Sequence, residues 1–219
     1  MSNIVIAIME MIGTVSFAMS GSIIAARYGL DLFGVVLVGC VTAVCGGILR
    51  DVFLGQLPPA ILLNAKLLIV AAAVSLLVFA VFYINARKFE KLERRVETVN
   101  IFFDAVGLAA FSILGMEAAF KADKTNNALL IISMGVITGI GGGIVRDVLV
   151  DKIPYVLKKH VYALASIIGC IVYYVIRQSA NKIAALVVAI PLIVIIRLLA
   201  AKYHWKLPKI HTKNERQEQ

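Results

Sequence analysis

Apolar positions in this chain come in long continuous runs, neither alternating with polar ones nor confined to one helical face. The longest stretches free of charged residues are 11–26, 32–49, 67–86, 105–116, 128–145, 161–176 and 183–196. Alternation at period two would point to a β-barrel, and a single apolar stripe to a soluble bundle. Continuous runs that flanking residues extend towards about 20 point instead to helices crossing hydrocarbon. The pattern predicts seven spans, near 4–27, 32–57, 60–84, 99–120, 128–153, 160–178 and 182–201. The expected fold class is all-α and integral to a membrane, with residues 1–201 forming one membrane domain. Residues 202–219 are polar and basic and are expected to form a disordered tail, with Tyr203 and Trp205 at headgroup level.

The runs contain a repeated pattern. Gly46-Gly47-Ile48-Leu49-Arg50-Asp51-Val52, followed by Pro58, recurs as Gly142-Gly143-Ile144-Val145-Arg146-Asp147-Val148, followed by Pro154, at an offset of 96 residues. Glu10, Gly13, Phe17 and Gly21 recur as Asp104, Gly107, Phe111 and Gly115 at an offset of 94, so an insertion falls between about 121 and 128. Two matched patterns in one order indicate an internal duplication. Repeat 1 covers 4–84 and repeat 2 covers 99–178, joined by a charged loop at 85–98; the seventh helix, 182–201, lies outside both. Three crossings per repeat bring the second copy in from the opposite face, which gives inverted repeats. The seventh span reads as a peripheral packing helix.

Composition agrees with a membrane protein: 61% of residues are hydrophobic and 16% charged, with a mean hydropathy of +0.92. The net charge of +9 raises the question of nucleic acid, and the placement of the charges answers it. With the N-terminus outside, the inward segments hold Arg27, Arg87, Lys88, Lys91, Arg94, Arg95, Arg146, Lys152, Lys158, Lys159 and the basic tail. The opposite side holds Arg50, Lys66, Lys121, Lys124, Arg177 and Lys182, and Arg197 lies within the last span. The positive-inside rule then puts the C-terminus in the cytoplasm of a cell whose plasma (inner) membrane the chain crosses several times. The basic charge is topological, with some attraction to anionic lipids, and no nucleic-acid partner is expected. Cys40, Cys45 and Cys170 fall within spans as small apolar side chains, and no metal-ligand spacing is present. The three histidines have no placed nucleophile, so an enzyme is not expected.

The candidate chemistry sits where the duplicated motif crosses the membrane. Gly46 and Gly47 fall at the centre of span 2, and Gly141, Gly142 and Gly143 at that of span 5. Consecutive glycines strip side chains from every face and weaken a helix, so a kink or break lining a cavity is expected there. No Gly-Lys-Ser/Thr follows, which rules out a phosphate loop. Arg50 and Arg146 lie roughly 6–8 Å from the midplane on opposite sides and need partners. Equal depth pairs Glu10 with Arg50 and Asp104 with Arg146. Asp51 and Asp147, about 100° further round their helices, are expected to point elsewhere, towards the neighbouring repeat. Static ion pairs that only fix packing remain the structural alternative. Glu117 and Lys121, one turn apart, are placed to pair.

Together the duplicated Gly-Gly-x-x-x-Arg-Asp-x-x-x-x-x-x-Pro blocks, the three-plus-three-plus-one spans and the external N-terminus resemble the prokaryotic trimeric intracellular cation (TRIC) channels. The same domain is also described as a glycine-transporter domain of bacterial membrane proteins. The resemblance covers residues 4–201. It implies a homotrimer in which each protomer has its own hydrophilic pore bounded by the six repeat helices. It further implies kinks at Gly46, Gly47, Gly141, Gly142 and Gly143, with Arg50, Asp51, Arg146 and Asp147 beside the pathway. The permeant ions it implies are K+ with Na+, without any cofactor. The chain lacks the longer lysine-containing glycine motif of the animal relatives, so their lipid and voltage regulation does not carry over. A secondary transporter of glycine or another small amino acid fits an inverted repeat equally well, and a lipid-organising structural protein is the non-transport alternative.

Overall fold

A computed structural model describes residues 3–85, 92–122, 127–158, 161–203 and 205. Nine helices follow one another among the described residues: α1 Asn3–Arg27, α2 Leu32–Phe53, α3 Ala60–Leu63, α4 Lys66–Ile84, α5 Glu93–Ala122, α6 Ala128–Leu149, α7 Tyr155–Lys158, α8 Val161–Ser179 and α9 Lys182–Lys202. All but α3 and α7 are long and apolar enough to cross a membrane, which makes seven spans. Residues 86–91 of the 85–98 loop, residues 123–126 and the tail (save Lys202, Tyr203 and Trp205) lie outside the described residues.

The helix ends repeat as the motif does. Asp31 caps α2 by accepting from the Gly34 amide at 2.8 Å, and Asn127 caps α6 by accepting from the Leu130 amide at 3.2 Å. Each supplies the acceptor that the first turn of a helix lacks. The far ends close alike, with Gln56 N donating to Asp51 O and Lys152 N to Asp147 O, both at 2.8 Å. Gly55 takes a φ of +68° there, and its counterpart Asp151 takes +54°. Only the first of these turns uses the residue that adopts this region without a side-chain penalty.

Several boundaries differ from the sequence reading, and the spans expected at 32–57 and 128–153 end four residues early, at Phe53 and Leu149. The span expected at 60–84 is divided into the single turn of α3 and then α4, because Asn64 and Ala65 interrupt it. The fourth span begins at Glu93, inside the expected loop, where Arg27 Nη2 meets Glu93 Oε1 at 3.0 Å.

The central post is α5. Its buried positions include Asp104, Gly107, Leu108, Phe111, Gly115 and Glu117, and it packs against α1, α6, α8 and α9. Repeat 1 closes around α1, and α2 crosses α6. At the centre Phe17 and Phe111, equivalent residues of the two halves, stack with ring centroids 5.2 Å apart. The periphery is α4, whose Leu68, Ile69, Leu76, Leu77 and Val81 are exposed and leave an apolar outer face.

Candidate functional site

The Arg-Asp pair of each motif copy sits in the last turn of a long helix, and there each arginine folds back on the aspartate that follows it. Arg50 Nε and Nη2 donate to Asp51 Oδ1 at 2.8 and 2.7 Å, and Arg146 Nε donates to Asp147 Oδ1 at 2.8 Å. The second oxygen of each aspartate caps a short helix. Asp51 Oδ2 accepts from the Ala60 amide at 2.9 Å, and Asp147 Oδ2 accepts from the Tyr155 amide at 2.6 Å. The angle of Asp51 and Asp147 on their helices predicts that they point towards the neighbouring repeat, and the structure overturns this: both are held by the preceding arginine and by a nearby helix start. A long guanidinium can curl to them, and the free amides of a helix start draw a carboxylate.

Asp104 and Arg146 meet as their depth predicts, with Nη1 to Oδ1 at 2.7 Å and both side chains 3% exposed. Arg146 Nη1 also donates to Ser20 Oγ at 2.7 Å, and Ser20 donates to Asn100 Oδ1 at 2.9 Å. Arg197, from α9, brings Nη2 to 3.5 Å from Asp104 Oδ2. Its guanidinium lies 4.8 Å from the ring centre of Tyr162 and 5.0 Å from that of Tyr155. Two aspartates and two arginines balance, which is how charge is tolerated this deep.

The matching pair does not form. Among the described residues no ion pair joins Glu10 to Arg50, and the two instead line a cavity of about 390 Å³. Its walls carry Thr14, Gly47, Asp51, Asn64 and Lys66, and Phe111 lies at its inner limit. The correction has a physical reason: Asp51 already satisfies Arg50, and the space between the carboxylate and the guanidinium is open. At the offset of 94, the Ser20 and Asn100 that tighten the other end are answered by Leu114 and Ile6. One end of the molecule is an open vestibule in which charged groups stand among apolar walls that include Met11, Val44, Ile61 and Leu67. The other is a dense ionic plug.

The glycines act by proximity. Both α2 and α6 run as continuous α-helix through Gly46-Gly47 and Gly141-Gly142-Gly143, so the break expected there is absent. Their amides keep their helical partners because the missing side chains are replaced by another backbone. Gly46 faces Thr138 and Gly142 faces Thr42. Gly141 approaches Gly46 and Leu49, Gly143 faces Tyr162, and Gly47 opens on the vestibule.

Four residues of the plug escape a motif reading: Ser20, Asn100, Tyr162 and Arg197. The last carried a signal, since an arginine inside an apolar run requires a buried partner. The buried Glu117 also departs from the pairing that its one-turn spacing predicts. Glu117 accepts from Tyr173 Oη at 2.7 Å and pairs with Arg177 at 3.5 Å and with Lys182, rather than with Lys121. Among the described residues no group of three His, Cys, Asp or Glu forms a metal cage.

Comparison with known proteins follows the same halves. The family described as glycine transporter matches residues 7–83 and 101–178, one match on each repeat. The UPF0126 inner membrane protein YadS of Escherichia coli K12 is 39% identical over 204 residues, covering 91% of this chain and 93% of YadS. The crystal structure of a prokaryotic TRIC channel in 0.5 M KCl superposes with a TM-score of 0.81 at 33% identity, over 93% of this chain and 99% of that one. The TRIC trimeric intracellular cation channel orthologue from Rhodobacter sphaeroides gives a TM-score of 0.81 at 26% identity, over 92% and 99%. In sequence and in fold, this chain belongs to the family of the prokaryotic TRIC channels, the same family that carries the glycine-transporter description.

Proposed function

We propose that this chain is a potassium-permeable cation channel of the inner membrane. In this reading it assembles as a homotrimer with one hydrophilic pathway per protomer, the N-terminus outside and the C-terminus in the cytoplasm. The observation that carries the proposal is the vestibule of about 390 Å³, which runs from Lys66 and Asn64 at its rim to Gly47 and Phe111 inside the protein. A cation entering it meets Glu10, while Asp51 neutralises Arg50 at 2.7 Å. A bare arginine would repel cations, but one held by a carboxylate presents little net field. The pathway continues past Phe17 and Phe111 to the plug of Arg146, Asp147 and Asp104, so the conformation described here is closed at the inner end. Arg50, Asp51, Arg146 and Asp147 act as pathway and gating charges in this reading, and K+ or Na+ contacts are transient. The solved relatives are named as cation channels, which supports the same class.

One observation favours a second reading. The vestibule carries both a carboxylate, Glu10, and cationic groups, Arg50 and Lys66, which complement the two ends of a zwitterion. A secondary transporter of glycine or a similar amino acid would use such a pair. Recording from purified protein in liposomes under a potassium gradient, with and without glycine, separates the readings. The channel gives unitary potassium currents indifferent to glycine; saturable glycine uptake without unitary currents replaces it with the transporter.

A further inference from the structure

We propose that α9 is the arm that shuts the inner end of the pathway, and that Arg197 acts as a tethered cation occupying the place on Asp104 that a permeating ion would take. The proposal rests on the channel reading and adds to it a named closing element.

The two ends of the pathway start from matched residues, Glu10, Arg50 and Asp51 at one and Asp104, Arg146 and Asp147 at the other, yet one is open and the other sealed. Ser20 and Asn100 account for part of the difference, and both belong to the tightly packed pair α1 and α5. Arg197 has no counterpart, because its helix lies outside the duplication. Charge explains what it does. With Arg197 docked, Asp104 and Asp147 are balanced by Arg146 and Arg197. Without it the cluster holds one excess negative charge, centred on Asp104 Oδ2, at the inner mouth. That is a cation site. Arg197 and a permeant ion thus compete for one oxygen.

The helix is built to allow this exchange. Its outer end is fixed: Asn181 caps it by accepting from the Ala184 amide at 2.7 Å, and Lys182 pairs with the buried Glu117. In the middle, Ile193 fills a notch on α8, where a Cβ on Gly169 would lie 2.1 Å from Ile193 Cγ1. Pro191 lies two residues before this contact and removes one helical hydrogen bond, which makes a bending point. Beyond it the inner half carries Arg197. Its link to Asp104, at 3.5 Å, is the slackest of the plug, where the other contacts of Arg146 and the aspartates measure 2.6–2.8 Å. Arg197 Nε has no partner among the described residues. An anchor, a fulcrum and a charge whose ion pair is the longest of the plug lie in order along one helix.

The test uses the full chain in liposomes, recording potassium currents. R197Q keeps the length and removes the charge; the expected result is an open probability raised fivefold or more, with R197K close to the native value. G169A leaves Arg197 in place but pushes α9 outward at Ile193, and the expected result is again more frequent opening. If both variants fold and open no more often than the native chain, the arm is overturned. Absence of potassium current from every form, native included, instead defeats the channel reading. The plug is then read without flux. In a chain with Cys40, Cys45 and Cys170 changed to alanine, S20C should resist a membrane-impermeant thiol reagent and become reactive when R197Q or G169A is added. If S20C stays unreactive with both, Arg197 closes nothing.

Discussion

Gly46 and Gly142 mark the place where the backbones of α2 and α6 touch. A Cβ on Gly46 would lie 2.2 Å from the Thr138 carbonyl oxygen, and one on Gly142 would lie 2.2 Å from that of Thr42. Both obstacles are main chain and cannot swing aside. Gly46→Ala and Gly142→Ala should each destabilise the protein by about 2–3 kcal/mol, the cost of overpacking a tight core. Gly47→Ala, whose Cβ would meet nothing nearer than Arg50 Nη2 at 3.9 Å, should change stability by less than about 0.5 kcal/mol. Thermal melting in detergent compares the three, and equal losses would show that the crossing is not a backbone contact.

Asp104 and Glu10 occupy matched positions and should respond differently to loss of charge. Asp104→Asn leaves Arg146 and Arg197 facing a single remaining carboxylate in a buried site, a cost of about 3–5 kcal/mol. Glu10→Gln breaks no ion pair and should leave the melting temperature nearly unchanged while reducing potassium flux through the vestibule. Melting and flux on the same preparations check both halves of this expectation.

The two arginines should separate in the same way. Arg146→Ala strands Asp104 and Asp147, so failure to fold or a loss of several kcal/mol is expected. Arg50→Ala leaves Asp51 beside an open cavity where water reaches it. The protein should stay folded, and the altered quantity should be single-channel conductance.

Glu117 ties three helices together, because Tyr173 and Arg177 belong to α8 and Lys182 to α9. Tyr173→Phe removes the short bond to Glu117, and about 1.5–3 kcal/mol of stability should go with it, as for other hydrogen bonds to a charged group. Lys121→Ala should cost nothing measurable. A reversed order of the two melting temperatures would restore the one-turn pairing of Glu117 with Lys121.

The sequence revealed what depends on period and depth. Seven apolar runs gave seven spans, and equal depth brought Asp104 to Arg146 across 42 residues. It failed where the outcome depends on how a flexible side chain turns. Depth alone cannot say that Arg50 will curl to Asp51 instead of crossing to Glu10, since both carboxylates lie within reach of so long a side chain. The break expected at the glycine run is absent for a related reason. Helix propensity predicts a weak point, but a neighbouring backbone in van der Waals contact stabilises the helix that propensity alone would break. The role of α9 was hidden because nothing in the repeat refers to it. Only the isolated charge of Arg197 in an apolar run marked the helix as more than packing.

Phe17 of the first half lies against Gly107 of the second, where a Cβ would come within 2.2 Å of its Cδ1; Phe111 lies against Gly13, where the approach would be 3.0 Å. Each half thus presents a ring and a hollow to the other, as two identical subunits facing in opposite directions would. A contact that has its mate in the other half, as this one does, is of the kind found across a two-fold dimer. The polypeptide link between the halves supplies high local concentration, and the recognition itself lies in the helices. Severed near residues 86–91 and made as two separate polypeptides in one membrane, the halves retain the complementary faces by which two strangers could once have met.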